Sequence, residues 1–102
     1  MSGRKGAQNG SDRGAGRAAL IRECLERAFA PDALEVIDES HLHLGHPGAR
    51  DGRGHFRVRI VSDVFAGLSR LDRHRRVYAA LGRLMQTDIH ALAVEAKSRN
   101  EI

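Results

Sequence analysis

Apolar residues recur along this chain with two different periods, which separate helices from strands. From Leu20 to Phe29 they return every three or four positions, the spacing of one helical face, and Pro31 ends the run. The apolar face comprises Leu20, Ile21, Cys24, Leu25, Ala28 and Phe29. A first helix is therefore predicted here, with Cys24 on its buried side.

Two shorter runs alternate between apolar and polar residues and predict strands. One covers residues 34–39, and the other covers 56–60, where apolar side chains alternate with Arg57 and Arg59. A long loop rich in glycine and histidine joins them, so we expect an antiparallel pair. A third strand is predicted at residues 89–96, a nearly continuous apolar run that we expect to be buried on at least part of both faces.

A second helix is predicted between the second and third strands. Ser69 or Asp72 is suited to cap its start, and a short extra turn is predicted near residues 64–67. Its inward face comprises Val77, Leu81, Leu84 and Met85. Because a helical crossover normally joins parallel strands, the third strand is expected to run parallel to the second. The pattern predicts an α+β fold, with a three-stranded sheet covered by helices on one face.

The positive charge is concentrated at the N-terminus. The charged residues among positions 1–17 are Arg4, Lys5, Asp12, Arg13 and Arg17. Their net charge is 4 − 1 = +3, which leaves 13 − 12 = +1 for the remainder of the chain. Because this segment is rich in Gly, Ser and Arg and poor in large apolar residues, we expect a disordered basic tail at 1–17 and one domain at 18–102.

Cysteine content and hydropathy exclude several classes of protein. Cys24 is the only cysteine, so the chain has no intrachain disulfide and no four-cysteine iron–sulfur or zinc site of its own. We expect Cys24 to act as a small core residue rather than a nucleophile. No apolar run approaches the roughly 20 residues that span a bilayer, and residues 1–17 have no signal-peptide core. A cytoplasmic location without membrane contact is expected.

Five of the histidines are expected to converge at one end of the sheet. They are His41, His43 and His46 in the long loop, His55 before the second strand and His90 at the start of the third. A third strand parallel to the second begins where the first strand stops, which brings these positions together. Imidazole suits iron, zinc or copper, so the cluster favours an open metal site or one completed by another molecule. Solvated loop side chains are the alternative interpretation.

Several blocks of the sequence together resemble the BolA family. The most specific are residues 65–78, with the sequence FAGLSRLDRHRRVY, and residues 89–92, with the sequence IHAL. Residues 34–40, the histidine-rich loop and residues 55–62 also follow the order of the family, over nearly all of residues 18–97. The resemblance implies a class II KH-like αββαβ two-layer sandwich.

The resemblance also implies a partner and a cofactor. BolA proteins bind monothiol glutaredoxins and share a [2Fe-2S] cluster at the interface, where the partner supplies cysteine and glutathione thiolates. The corresponding metal ligands here are His90 and His43, with His46 and His41 as alternates for the second position. His55 is expected instead to hold the loop through a hydrogen bond.

DNA-binding transcriptional regulation is the alternative function. The KH-like order and a likeness to a helix-turn-helix define a partner or nucleic-acid surface, which comprises Gly67, Arg70, Arg73, His74, Arg75 and Arg76. Against nucleic acid, Gly67 lacks the second glycine of the KH clamp, and aromatic residues for base stacking are few. An enzyme is not expected, because Asp38 to His41 are adjacent on a strand end and point to opposite faces.

Overall fold

The computed structural model describes residues 13–40 and 53–102, with side chains described from residue 16 onward. The main elements are α1 (Arg13–Phe29), β1 (Ala33–Asp38), β2 (Gly54–Val61), α2 (Arg70–Leu81), α3 (Leu84–Thr87) and β3 (Ile89–Lys97). Short 3-10 turns lie at Asp63–Phe65 and Arg99–Glu101. The predicted element order and the α+β class are confirmed. The tail predicted at 1–17 lies mostly outside the described residues, and α1 begins at Arg13, before the domain start predicted at residue 18.

The sheet has the strand order β1-β2-β3. β1 pairs antiparallel with β2, and β3 pairs parallel with β2 through the crossover formed by α2 and α3. Both pairings are as predicted. Along β2, Phe56, Val58 and Ile60 are buried in the core, while Arg57 and Arg59 alternate with them on the opposite face. The helices therefore cover one face of the sheet and leave the other open.

One apolar core lies between the helices and the sheet. Its buried members are Ile21, Leu25, Phe29, Phe56, Val58, Ile60, Phe65, Val77, Leu81 and Ile89. The rings of Phe29 and Phe65 lie 5.0 Å apart and join α1 to the first 3-10 turn. Cys24 is half-buried at the border of the core. The predictions for Leu20 and Ala28 are wrong, because both side chains are exposed on α1, Leu20 to 45%.

A break divides the second predicted helix into α2 and α3. Ser69 caps α2, its hydroxyl accepting the N–H of Asp72 at 3.1 Å. α2 ends at Leu81, and its C-cap residue is Gly82, whose φ of +53° is favourable for a residue without Cβ. Leu84 and Met85 were expected on the same helix, yet they follow this break and pack half-buried against the core. The helical spacing continues across the break, which is why the apolar pattern did not predict it.

β3 is less buried than its apolar sequence suggests. Ile89 is fully buried, and Leu92 and Val94 pack half-buried against the core, but Ala91 and Glu95 are exposed. The expectation of burial on both faces is wrong, because β3 lies at the edge of the sheet and the helices cover one face only. Within the described ranges, no helix is long and apolar enough to cross a membrane.

Candidate functional site

All three strands contribute residues to one end of the sheet. Asp38, at the end of β1, pairs with Phe56, and Gly54, at the start of β2, pairs with Ile89. β1 therefore stops where β2 and β3 begin, as the sequence predicted. His55 and His90 lie together at this end. His41, His43 and His46 fall outside the described residues.

His90 lies at an irregularity in the pairing of β2 with β3. Gly54 pairs with Ile89, whereas His55 pairs with Ala91, so β3 contributes one extra residue, His90, at this bulge. Bulges change the direction of a side chain and are frequent beside functional sites. His90 is exposed although Ile89 before it is wholly buried. The bulge thus presents an imidazole to molecules outside the fold.

His55 packs beside His90. The two ring centroids are 5.2 Å apart, with an angle of 47° between the ring planes. His55 is only 9% exposed, so the pair consists of one buried and one accessible imidazole. The pair is the central feature of the candidate site.

The guanidinium of Arg53 adjoins the same imidazole. Its Nη2 lies 3.3 Å from Nδ1 of His90, and its Nη1 donates to the carbonyl oxygen of Gln86 at 3.3 Å. Arg53 was not among the predicted site residues. It directly precedes β2, and the parallel pairing of β2 with β3 places it near the start of β3, so its position beside His90 was predictable from the sequence.

Hydrogen bonds tie the end of β1 to the start of β2. The hydroxyl of Ser40 accepts the backbone N–H of His55 at 3.0 Å, and the N–H of Ser40 donates to Oδ1 of Asp38 at 2.8 Å. A Cβ on Gly54 would lie 2.6 Å from the ring of Phe56 and 2.8 Å from the hydroxyl of Ser40. Only glycine fits this position without displacement of its neighbours, so Gly54 packs closely against Ser40 and Phe56.

The described residues offer imidazole donors but no complete metal site. No group of three His, Cys, Asp or Glu side chains in residues 13–40 and 53–102 is arranged to hold a metal ion. His55 and His90 do offer imidazole nitrogen, a borderline donor that suits iron. A complete ligand set therefore needs side chains of the 41–52 loop, another molecule, or both. The ligand roles of His43, His46 and His41 remain predictions.

Arg73 has a structural role within the predicted partner surface. Its Nε donates to the carbonyl of Leu68 at 2.9 Å, and its Nη1 donates to the carbonyl of Ala96 at 3.0 Å. Both terminal nitrogens also contact the carboxylate of Glu101, and the Arg73 side chain is only 12% exposed. The guanidinium is thus used to join α2 to the end of β3.

The other predicted members of this surface are more accessible. Arg70, Arg75 and Arg76 are exposed, and Gly67 forms a turn with φ of +77°. His74 is half-buried, with its ring 6.4 Å from that of Tyr78. Exposed cations on one helix suit either an acidic protein surface or phosphate groups.

The fold and the site together define a small α+β domain that carries a histidine pair at the open end of its sheet. The family model described as BolA-like protein matches residues 25–101. The chain belongs to the BolA family.

Known relatives agree with this assignment. A Sinorhizobium protein from the cobS 5′ region is 49% identical over 83 residues, covering 79% of this chain and 89% of that protein. Human BolA-like protein 1 is 46% identical over 80 residues, covering 78% of this chain but only 56% of the human protein. The solved BolA domain of SufE1 from Arabidopsis thaliana superposes with a TM-score of 0.76 at 39% identity, covering 94% of this chain and all of that domain.

Proposed function

We propose that this protein is a non-catalytic adaptor that binds a monothiol glutaredoxin and contributes histidine ligands to a [2Fe-2S] cluster shared across the interface. The observation that carries the proposal is the exposed His90, which lies on a bulge beside the buried His55. Such an adaptor would serve iron–sulfur trafficking or the sensing of iron and redox state.

The donor set supports a shared cluster. The single cysteine excludes a four-thiolate site within the chain. In the proposed complex the partner supplies the missing thiolates, one from its cysteine and one from bound glutathione, as the resemblance to the BolA family implies. His90 is the first ligand because a partner can reach it. The second ligand is His43, with His46 and His41 as the other loop candidates, and the proximity of His55 to His90 makes it a further candidate. When bound, a cluster with imidazole in place of thiolate has a higher reduction potential.

The test is a titration of reconstituted [2Fe-2S] monothiol glutaredoxin with this protein, followed by visible absorption and circular dichroism. The wild type should shift the cluster spectrum to a stoichiometric end point, and His90→Ala should abolish the shift. His74→Ala is the matched control, because His74 is a half-buried histidine on α2. At saturation its cluster spectrum should match that of the wild type. Only the end-point spectrum is compared, because His74 belongs to the predicted partner surface and its replacement can change the affinity.

The second ligand is separated by two further variants in the same titration. His43→Ala and His55→Gln each remove one candidate imidazole, and their thermal unfolding is recorded to separate ligand loss from a damaged fold. The variant that keeps its fold and loses the wild-type spectrum identifies the ligand. If the wild type does not change the cluster spectrum, the adaptor proposal fails. DNA binding that weakens steeply with salt and depends on Arg70, Arg75 and Arg76 would then support the regulator alternative.

A further inference from the structure

The outer edge of β3 presents backbone hydrogen-bonding groups. Lys97 faces β2, because its carbonyl accepts the N–H of Ser62 at 2.9 Å. Along a strand, the backbone N–H and C=O groups of successive residues point alternately to the two neighbouring sides in the plane of the sheet. The backbone groups of Leu92, Val94 and Ala96 therefore point away from β2. The guanidinium of Arg73 covers the carbonyl of Ala96. Among the described elements, no strand pairs with the outward groups of Leu92 and Val94.

A groove of about 570 Å³ runs along this edge, between α2 and the open face of the sheet. It is lined by Arg57, Arg70, Arg73, His74, Val94, Glu95, Ala96, Lys97 and Glu101. Val94 and Ala96 give it an apolar floor, while polar and charged side chains form its walls. Val94 lines this groove, and Leu92 continues the same strand edge beyond the groove lining, so an extended chain paired with Val94 would enter the groove.

The groove has more cationic than anionic side chains. Its four cations, Arg57, Arg70, Arg73 and Lys97, face two carboxylates, those of Glu95 and Glu101. Lys97 contacts Glu95 at 3.3 Å, and Arg73 is held by Glu101. Arg57 is paired with Glu39, which lies outside the groove lining, at 2.9 Å. Arg70 is exposed, and no described carboxylate lies within ion-pair distance of it. Arg70 thus gives the groove a cation with no carboxylate beside it among the described residues, which makes the groove complementary to an anionic occupant.

The chemistry favours a peptide over a nucleic acid. No phenylalanine, tyrosine or tryptophan lines the groove, so it offers no ring of those residues on which bases stack. The alternating N–H and C=O groups of a strand edge instead match the backbone of an extended peptide. A second copy of this chain is disfavoured, because pairing two β3 edges would bring the cations of both grooves together.

We propose that the outer edge of β3, at Leu92 and Val94, binds an acidic segment of a partner protein by β-strand addition. The main chain of the segment pairs with β3, and its carboxylates contact Arg70 and Lys97. The opposite edge is less suitable, since Arg22 on α1 already donates to the outward carbonyl of Leu34 at 3.0 Å. The proposal requires neither His90 nor a cluster.

The test uses the full chain labelled with ¹⁵N and a short peptide of alternating glutamate and valine. The amide signals of Leu92 and Val94 should shift on titration. The same peptide N-methylated at alternate residues keeps its charge and loses the donors for pairing, so it should bind about tenfold more weakly. Arg70→Gln should weaken binding roughly two- to fivefold, as expected for one exposed ion pair. Arg83→Gln, an exposed arginine outside the groove and outside the predicted partner surface, should leave binding unchanged.

Four results would each overturn the proposal. They are equal binding of the methylated peptide, no binding of the parent peptide, shifts produced instead by a single-stranded oligothymidine, and shifts of the same amides on raising the protein concentration alone. His90→Ala should bind the peptide like the wild type. Failure of this edge proposal and failure of the shared cluster are therefore distinguishable.

Discussion

At the residue scale, Arg53 restricts the chemistry of His90. A guanidinium only donates, so the 3.3 Å contact requires Nδ1 of His90 to accept and the proton of the neutral ring to lie on Nε2. A metal bound at Nε2 would require that proton on Nδ1, and a metal bound at Nδ1 would displace Arg53. Coordination by neutral imidazole at either nitrogen therefore breaks this contact.

Replacing Arg53 should make His90 a better ligand. In Arg53→Gln the amide oxygen is able to accept from an Nδ1–H, so the ring no longer has to give up a hydrogen bond when it coordinates. We expect the affinity for cluster-loaded glutaredoxin to rise by about two- to tenfold, the equivalent of one hydrogen bond of about 0.5–1.5 kcal/mol. The end point and curvature of the spectroscopic titration measure this change. Weaker binding would show that Arg53 assists the complex rather than restrains it.

Gly54 sets the shape of the strand end that carries His55. In Gly54→Ala, the new methyl group would overlap the ring of Phe56 and the hydroxyl of Ser40. Crowding of this kind should lower the free energy of unfolding by about 1–3 kcal/mol. Urea denaturation measures the loss, and unchanged stability would mean that the strand end relaxes freely.

Part of the residue-scale picture was predictable from sequence. The parallel crossover correctly placed His90 beside His55, because strand direction follows from element order alone. The internal role of Arg73 was not predictable. In the sequence, nothing distinguishes Arg73 from the other arginines of α2. Its contacts with Ala96 and Glu101 depend on the tertiary packing of α2 against β3.

At the scale of elements, a charged contact joins α2 to the last turn of the chain. The guanidinium of Arg73 and the backbone N–H of Ser98 lower the pKa of Glu101 from its ordinary value of 4.5 to about 2. A carboxylate with a depressed pKa stabilises the fold fully above its ordinary pKa and loses that contribution as the pH falls through the folded value. The contact should therefore weaken between about pH 4.5 and pH 2.

Glu101→Gln should remove this pH dependence. At neutral pH the variant should be less stable than the wild type, because Arg73 loses its anionic partner. The difference in the free energy of unfolding should shrink as the pH falls from 4.5 toward 2, where the wild-type carboxylate also becomes neutral. Urea titrations at a series of pH values measure it. A difference that stays constant with pH would contradict the role of the charge.

The break between α2 and α3 depends on one glycine. Gly82 has φ of +53°, which a side chain opposes, so Gly82→Ala should lower the free energy of unfolding by about 1–3 kcal/mol. Gly16→Ala is the matched control, because Gly16 lies within α1 and a Cβ there meets open space. It should stabilise the protein by about 0.5–1 kcal/mol. Thermal or urea unfolding measures whether each substitution raises or lowers the free energy of unfolding. Stabilisation by both substitutions would contradict the claim that the backbone conformation at Gly82 requires glycine.

The helices and strands were more predictable from sequence than the break between α2 and α3 or the solvent exposure of β3. The sequence pattern predicted all three described strands. Apolar and polar residues alternate along 34–39 and 56–60, because burial of one face of a strand imposes a period of two residues. The third strand was predicted from the apolar run at 89–96. The burial of β3 was overestimated, since its alanines are apolar in sequence yet small enough to remain at an exposed edge.

At the scale of the whole molecule, the two proposed functions use the same strand. His90 lies at the start of β3 and Val94 further along it, roughly 13 Å apart at about 3.3 Å per residue. A partner is therefore able to occupy the histidine end while an acidic segment lies along the outer edge. One core supports both surfaces, since Ile89 and Phe56 are buried in the same apolar cluster.

The most direct test of the central claim is pulsed electron paramagnetic resonance of the reduced complex. This protein is labelled with ¹⁵N-histidine, and the glutaredoxin and glutathione remain at natural abundance. The shared-cluster account predicts ¹⁵N couplings from a directly coordinated imidazole in the wild type, and their loss or clear reduction in His90→Ala but not in His74→Ala. A stable complex whose reduced cluster shows no ¹⁵N coupling would contradict ligation by this chain.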